Sequence, residues 1–568
     1  MDLISSKWSW QCAICRENQP LANIRQSHVD VIHKILDGGQ EKLPQLDNDY
    51  LLEQVCVDCG APGFIYREGL NNPHDINSIQ VIYEELLRSL LVLRFSSGFL
   101  LPNDFTFLLE NENQRNDKVY YTAIDEWLKK NNWNCNTIAE QVKTSLDPEK
   151  KIGIFNSNIM LAHDHPFENY DTDDDKLYSE EDLENAYFCT KASAHPERPD
   201  RIRSIICFLV TLNLWSKCQV FIDEQKTAEK NTMPDFTDLI NLGVLTAQEI
   251  NNFQRMIDRF NSFSGTALAL NKGDTYWSQF TLAASRIACN CAKKAVDEIV
   301  SGNIESGFLI VRPPGHHADA CQSSGFCVVN NIGVAAAYAK SKENVKKILI
   351  VDWDIHHGNG TENMFYEDDS VLLISIHRYD QGRYYPASGH LNKTGANKGA
   401  GFNVNIPLDG DWCSDADYLL AFDEIVMPIA AKFKPDIILI SSGFDAAMGD
   451  YLGDFNLSPW GYAEMTRKLM QINKKILVFL EGGYNLHSVA IGSEMIVRTL
   501  MGQPVPPRVE CFLLGSIPLG GEEQAIYNEL KFSSKKYDPD SLPFPEAKES
   551  TIAAIASLKD LMTEYWEF

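Results

Sequence analysis

Between positions 348 and 361 the chain reads Ile-Leu-Ile-Val-Asp-Trp-Asp-Ile-His-His-Gly-Asn-Gly-Thr, an aliphatic run that leads directly into a polar cluster. No other stretch constrains the fold so tightly. A continuous apolar run is a strand buried on both faces, the kind found in parallel sheets. Open α/β sheets bind their ligands at the carboxyl ends of such strands, and this strand ends in two Asp and two His. Alternation along an extended chain predicts Asp352, Asp354 and His356 on one face. Burying that set is costly unless its members pair or bind a cation. Asp354 and His356 have the donor types of a divalent-metal site. A polar strand end whose groups satisfy one another is the plainer alternative.

The same pattern recurs along the chain. Apolar runs at 308–311, 347–354, 371–377, 402–406, 437–442 and 476–480 read as strands, and the stretches 278–300, 331–340 and 418–432 read as helices. Strands alternating with helices predict an α/β fold with a largely parallel sheet. Several runs end in polar clusters on the carboxyl side: Arg312-Pro-Pro-Gly-His316-His317, Asp352 to Asn359, Ser375-Ile-His377-Arg378, Ser441-Ser-Gly-Phe-Asp445 and Glu481-Gly-Gly-Tyr484-Asn485. One site assembled from these strand ends is far more specific than any cluster alone.

Three protein ligands and an open position make a catalytic zinc site, and Asp445 is the third ligand beside Asp354 and His356. Such a metal lowers the pKa of water and polarises a carbonyl oxygen. His316 and His317, after a tight Pro-Pro-Gly turn, are the general base and acid candidates. Each needs a partner to fix its tautomer, and Asp352 and Asn359 have the right chemistry. A carboxylate on one ring and a neutral amide on the other predicts pKa values pushed apart. Tyr484, set among Gly482, Gly483 and Asn485, is a hydrogen-bond donor suited to a developing oxyanion. Together these groups describe hydrolysis of an amide or ester, and no Ser or Cys nucleophile motif or phosphate-cradling Gly loop competes. Taken singly, a tandem His is more often structural and a lone Tyr more often packed. Their joint occurrence at strand ends points to catalysis.

A chain of 568 residues has room for roughly two to four domains. Its formal charge of −27 argues against a nucleic-acid binder and against adsorption to anionic membrane, but not against a protein substrate with Lys-rich segments. No apolar run reaches the ~20 residues of a membrane span, and the first residues, Met1-Asp-Leu-Ile-Ser-Ser-Lys-Trp8, lack the pattern of a signal peptide. The 14 Cys are scattered apart from two pairs, which is no secreted disulfide framework and predicts an intracellular protein, cytoplasmic or nuclear.

Those pairs, Cys12-Ala-Ile-Cys15 and Cys56-Val-Asp-Cys59-Gly60, are spaced as the knuckles of a tetrahedral structural zinc site. Cys12 and Cys15 with His28 and His33 are a competing set, but Gln19 and Arg25 stand where a two-Cys, two-His finger carries apolar residues. Buried thiols without metal are the bland reading. The preferred division is a four-cysteine zinc module at 1–70, a helical connector at 71–149 with periodic stretches at 81–95 and 123–131, a catalytic domain at 150–505 and a C-terminal extension at 506–568 closed by a helix at 549–565. Acidic runs at 171–176 and 179–184 read as a solvated loop, since they lack the Gly turn and distal Glu of a calcium loop.

In its strand-end clusters the chain resembles the zinc-dependent histone deacetylase family, its class II branch in particular. The matching stretches are His195-Pro-Glu-Arg-Pro-Asp200, Arg312-Pro-Pro-Gly-His-His-Ala318, Gly325-Phe-Cys-Val-Val-Asn-Asn331, 351–361, His377-Arg-Tyr-Asp380, Ser442-Gly-Phe-Asp-Ala-Ala447 and Glu481-Gly-Gly-Tyr-Asn485. They fall in family order over roughly residues 150–505. The resemblance implies the arginase/deacetylase fold, a parallel sheet of about eight strands flanked by helices. It implies Asp354, His356 and Asp445 as ligands of a catalytic zinc, and His316 and His317 paired with Asp352 and Asn359, with His317 the general base. Asn359 in place of Asp matches the class II pattern, and Tyr484 takes the oxyanion role. Phe326 and Tyr385, the latter where Phe is commoner, would line a channel for an acyl-lysine stem. Arg198 would stand by the acetate-release channel, and a potassium ion would use Asp352, Asp354, His356 and Ser375, largely through carbonyls.

The function this resemblance implies is removal of acetyl groups from lysine side chains of histones or other proteins, with the acetylated protein as partner. An unknown protein would engage the N-terminal module, which is no part of the family pattern. Polyamine-preferring members carry an acidic gatekeeper shortly after the third metal ligand; Leu452 stands there, beside Tyr451 where Pro is usual, which favours peptidyl acetyl-lysine. An acetylpolyamine amidohydrolase on the same site is the alternative, and a non-enzymatic scaffold or a two-metal ureohydrolase fits the residues less well.

Overall fold

The structure, a computed structural model, describes residues 145–157, 196–197, 200–223, 281–319, 322–448, 450, 452–504 and 546–568, together with five short strands elsewhere. Three of these, β1 (Trp8–Cys12), β2 (Asn18–Pro20) and β3 (Gly63–Arg67), form an antiparallel sheet in the order β2-β1-β3. The other two, β6 (Ala267–Leu270) and β7 (Thr275–Ser278), pair antiparallel. The expected helices at 81–95 and 123–131 and the acidic loop at 171–184 lie outside the described residues.

The main sheet has eight strands, β4 (Ile152–Ser157), β5 (Gln219–Asp223), β8 (Ser306–Ile310), β9 (Ile348–Asp352), β10 (Val371–Arg378), β11 (Asn403–Leu408), β12 (Ile437–Ser442) and β13 (Ile476–Leu480), in the order β11-β10-β9-β12-β13-β8-β4-β5. Every pairing is parallel. The chain leaves β9 toward β10 and β11 on one side and returns as β12 and β13 on the other. The crevice beside β9 is thus a topological switch point, where α/β folds bind ligands.

Why β9 is aliphatic up to Asp352 follows from its two neighbouring layers. Leu349 and Val351 join one apolar core with the helices Asp200–Thr211, Pro459–Ile472, Leu486–Leu500 and Glu549–Met562. Ile348 and Ile350 join a second core with the helices Thr281–Val300 and Asn331–Lys340. Both faces of the strand are buried, so alternating polarity would be penalised on either side.

Three local outcomes differ from the sequence expectations. The strands β4 and β5 complete one side of the sheet and have no counterpart among the expected strands. The helix expected at 418–432 runs from Asp415 to Phe433 and is interrupted by a π-helical turn at Phe422–Val426. Pro428 lacks the N–H that a continuous α-helix needs, and the wider turn before it accommodates the lost bond. The closing helix ends at Met562 rather than at 565. Among the described residues no helix is long and apolar enough to cross a membrane.

Candidate active site

Alternation along a strand is not what aligns the acids after β9. The strand stops at Asp352, and Asp354 and His356 lie in the bend beyond it. Side chains shape that bend: Asp352 Oδ1 accepts from the Asp354 N–H at 3.1 Å, and Asp354 Oδ1 accepts from the His356 N–H at 2.9 Å. Asx turns of this kind curl the chain back on itself. Asp445, from the loop after β12, joins them by accepting the Ile355 N–H at 2.9 Å. His356 Nδ1 then faces Asp354 Oδ1 and Asp445 Oδ2, each at 3.1 Å. One ligand atom from each residue lies within 4.8 Å of the others, and both carboxylates are buried.

This donor set fits a divalent cation. Burial opposes charge on the imidazole, yet Asp354 and Asp445 outweigh it and raise His356 to about 9. A field that strong favours positive charge between the two carboxylates, and N/O donors at this spacing are zinc-like. Two glycines permit the close packing. A Cβ on Gly443 would sit 2.0 Å from Asp354 Oδ2, and one on Gly482 would sit 2.1 Å from Asp445 Oδ2.

The loop after β8 brings in the tandem histidines. Their ring centroids are 4.0 Å apart. His316 Nδ1 meets Asp352 Oδ2 at 3.0 Å, and its Nε2 is 3.7 Å from Asp354 Oδ1. His317 Nδ1 meets Asn359 Oδ1 at 2.8 Å. The two rings are pushed in opposite directions. Burial lowers His316, but Asp354, Asp352 and Glu481 together raise it well above an ordinary histidine. Burial, with the neighbouring His316 and His356, holds His317 well below one.

Tyr484 is buried and follows Gly483, whose φ of +107° only glycine adopts without strain. Its loop is gripped from two directions. Arg201, fully buried, donates from Nε to the Gly483 carbonyl at 2.6 Å and from its terminal nitrogen to the Glu481 carbonyl. Glu197 braces that guanidinium at 3.2 Å and also accepts two bonds from Arg312 at 2.8 Å. On the other flank Asp450 accepts the Tyr484 and Asn485 N–H groups at 2.6 and 3.1 Å and the Leu452 N–H at 2.9 Å. Burial and Asp445 push the Tyr484 hydroxyl well above an ordinary tyrosine, so it keeps its proton.

Around the mouth, Phe326 stands edge-on to Tyr484 at 5.6 Å, and Tyr385 stands edge-on to His317 at 5.1 Å with its hydroxyl 2.7 Å from Ser324 Oγ. Leu452 is half-buried, and its carbonyl accepts from the Tyr384 hydroxyl at 2.6 Å. Ser375 lies beside Asp352 in the β9–β10 register, with its hydroxyl on His377 at 2.9 Å. Arg198, Cys15, Cys56, Cys59, Tyr451 and the side chain of Cys12 lie outside the described residues.

Sequence reasoning misses four groups. Arg201, three residues beyond Arg198, is the arginine beneath the tyrosine loop. Tyr384 stacks on His356 with ring centroids 5.3 Å apart. Asp450 has no role in the sequence reading, and Glu481 figures there only as part of a cluster. Glu481 accepts the Gly315 and His316 N–H groups at 2.6 and 3.1 Å, and burial raises its carboxyl to about 7. Only Glu481 stands inside a recognised strand-end cluster. For the other three, three-dimensional contact is the signal.

Residues 195–500 match the family model described as Histone deacetylase domain. The chain is 38% identical over 330 residues to Histone deacetylase 15 of Arabidopsis thaliana, covering 57% of this chain and 56% of that one. It is 38% identical over 323 residues to Histone deacetylase HDA1 of Saccharomyces cerevisiae, covering 55% and 45%. The crystal structure titled HDA15 HD domain aligns with a TM-score of 0.53 and 32% identity, over 66% of this chain and 89% of that chain. The chain thus spans about half the length of these curated relatives.

Proposed function

Since the chain belongs to the histone deacetylase family of zinc-dependent hydrolases, we propose that it removes acetyl groups from lysine side chains of proteins. One observation carries the reading: Asp354, His356 and Asp445 converge beside two histidines tuned in opposite directions. Zinc held by that trio supplies Lewis acidity, polarising an amide carbonyl and acidifying water.

The remaining steps belong to side chains. His317 donates an Nδ1–H hydrogen bond to Asn359 Oδ1, which leaves Nε2 free to take a proton from the attacking water. The same nitrogen then passes that proton to the departing lysine amine. His316, cationic beside Asp352, steadies the negative charge that develops. Tyr484 donates its hydroxyl hydrogen bond to the oxyanion. Phe326 and Tyr385 wall a channel that buries the lysine methylenes, and Leu452 at the rim offers no anion to a second ammonium. Arg198 by the acetate-release channel belongs to this reading, and Arg201, braced by Glu197, holds the Tyr484 loop in place. A potassium ion on the carbonyls near Asp352, Asp354, His356 and Ser375 belongs to this reading.

The domain division 1–70, 71–149, 150–505 and 506–568 is part of the proposal, as is a structural zinc on Cys12, Cys15, Cys56 and Cys59. The β1–β3 register supports the zinc, because Cys12 pairs with Gly63. The chain therefore leaves β1 toward Cys15 and enters β3 from Cys59 at the same end of the ladder. A protein ligand for this module and an intracellular site of action complete the reading.

The test compares an acetyl-lysine peptide with an acetylpolyamine at matched concentration on zinc-replete full-length chain. Peptide turnover dominates, and His317→Ala or Asp354→Asn lowers it ~100-fold or more without lowering the melting temperature. Polyamine turnover equal to or above peptide turnover overturns the substrate assignment. Full activity in either variant overturns the mechanism.

A further inference from the structure

We infer that the floor of the pocket carries a second cation site, formed by His316, Cys327 and Glu481, which takes a thiophilic divalent ion and whose occupancy stops turnover. Among the described residues two groups of metal-ligating side chains converge. One is the trio above, and the other is this one, with all three residues buried and their ligand atoms within 4.8 Å of one another.

Each member has a ligand atom to spare. His316 Nδ1 is committed to Asp352 at 3.0 Å, which leaves Nε2. Glu481 is divided more sharply. Both backbone N–H groups of the Gly315–His316 turn are bonded to Oε2, while Oε1 is buried with no hydrogen-bond partner among the described residues. A fully buried carboxylate oxygen without a donor is rare and unfavourable. Burial and the Glu481 carboxylate hold the Cys327 thiol well above its ordinary range, so it keeps its proton until a cation displaces it. The nearby backbone N–H groups of His317 and Ala318 oppose that rise and favour the thiolate that remains. The backbone of Cys327 is pinned by reciprocal bonds with Ser324 at 2.9 and 3.1 Å. The three atoms therefore sit on a rigid frame. Imidazole nitrogen, thiolate sulfur and carboxylate oxygen form the mixed set that Zn2+ and Cd2+ accept and that Mg2+ and Ca2+ do not.

The cation would disable the enzyme through His316. A metal on Nε2 displaces the proton that the cationic ring carries there and sets divalent charge beside Asp354, whose Oδ1 is 3.7 Å away. The inhibition rests on the proposed role of His316, whereas the binding site does not.

Cd2+ titrated into zinc-replete full-length chain separates the two. Cys327→Ser keeps an acceptor for the two N–H groups, and Glu481→Gln keeps one for the Gly315–His316 turn while removing the spare anionic oxygen. The expected result is inhibition of acetyl-lysine hydrolysis whose apparent constant rises at least tenfold in both variants. Cadmium–thiolate absorption should differ between wild type and Cys327→Ser by one thiolate per chain, with every other Cys cancelling in the difference. An unchanged inhibition constant in both variants, or a flat difference spectrum, overturns the site. A chain that hydrolyses no acetyl-lysine but gives the difference spectrum keeps the site and overturns the proposed function. Should Cys327→Ser fail to match the wild-type melting temperature, the bound-cadmium count in Glu481→Gln decides instead: loss of one ion supports the site, and an unchanged count overturns it.

Discussion

Asn359 meets His317 at 2.8 Å and Asp352 meets His316 at 3.0 Å, so two adjacent rings differ chiefly in the charge of the group behind them. Replacing the amide by a carboxylate in Asn359→Asp would stabilise imidazolium at His317 and raise its pKa. The base form is then lost at higher pH, and the acidic limb of the kcat/KM profile moves upward, with activity near pH 6 falling most. An unmoved limb would mean that another group is the base. Asp450 acts at one remove, since it holds the backbone of Tyr484, Asn485 and Leu452 and touches no reacting atom. Asp450→Ala leaves those donors short of partners and lets the tyrosine drift. We expect kcat to fall between ~10- and 100-fold with KM changed far less, and Asp450→Asn to recover part of the loss. Equal loss in both variants, tracking the melting temperature, would reduce Asp450 to a stability role. Residues such as His316, Asp354 and Asp445 are legible in the sequence because each stands at the polar end of an apolar run. Arg201 is not, since its partners Glu481 and Gly483 lie 280 and 282 residues away and no local pattern encodes that distance.

Strand ends are easier to read than whole elements. β12 and β13 match their apolar runs because both faces are buried and the run stays hydrophobic up to the polar end. β4 is far less legible: its sequence Ile-Gly-Ile-Phe-Asn-Ser is short and broken by Gly153, where a Cβ would sit 2.9 Å from both Ile304 and Phe155. The glycine serves packing across the sheet, which no periodicity reveals. The closing helix Glu549–Met562 shows the reverse. Its buried positions Thr551, Ile555, Leu558 and Met562 form a legible stripe, but the surface they cover cannot be read from it. The helix packs on the edge strand β11, and Trp566 beyond it bonds the Gly401 carbonyl at 2.8 Å and lies edge-on to Phe402 and Phe433. A segment without chemistry thus covers the edge of the main sheet. Trp566→Ala should destabilise the chain by about 1–3 kcal/mol, measured by urea denaturation, with turnover of folded protein unchanged. A denaturation midpoint identical to wild type would show that the helix merely rests on the sheet.

At the scale of the whole molecule, the match to the family begins at residue 195, and the two Cys pairs stand well before it. Among the described residues the proposed ligands, base and tyrosine all come from loops after β8, β9, β12 and β13. The chain is therefore expected to hold two independent zinc ions, one for chemistry and one for the fold of the N-terminal sheet. Two ligand sets compete for the second ion. Cys12 and Cys15 are common to both, so only the other half of each set discriminates. If all four ligands are cysteines, Cys56→Ser with Cys59→Ser lowers the bound zinc from two per chain to one, while His28→Ala with His33→Ala leaves it at two. The converse pattern would establish the two-Cys, two-His site, and a single zinc in the wild-type chain would remove both. Because a structural zinc contributes its binding free energy to folding, losing that ion should unfold the short sheet while hydrolysis of a small acetyl-lysine substrate stays within about twofold of wild type. A large protein substrate is the sensitive probe: if its turnover falls in the double-Cys variant while the small substrate is untouched, the N-terminal sheet selects the target that the catalytic pocket then processes.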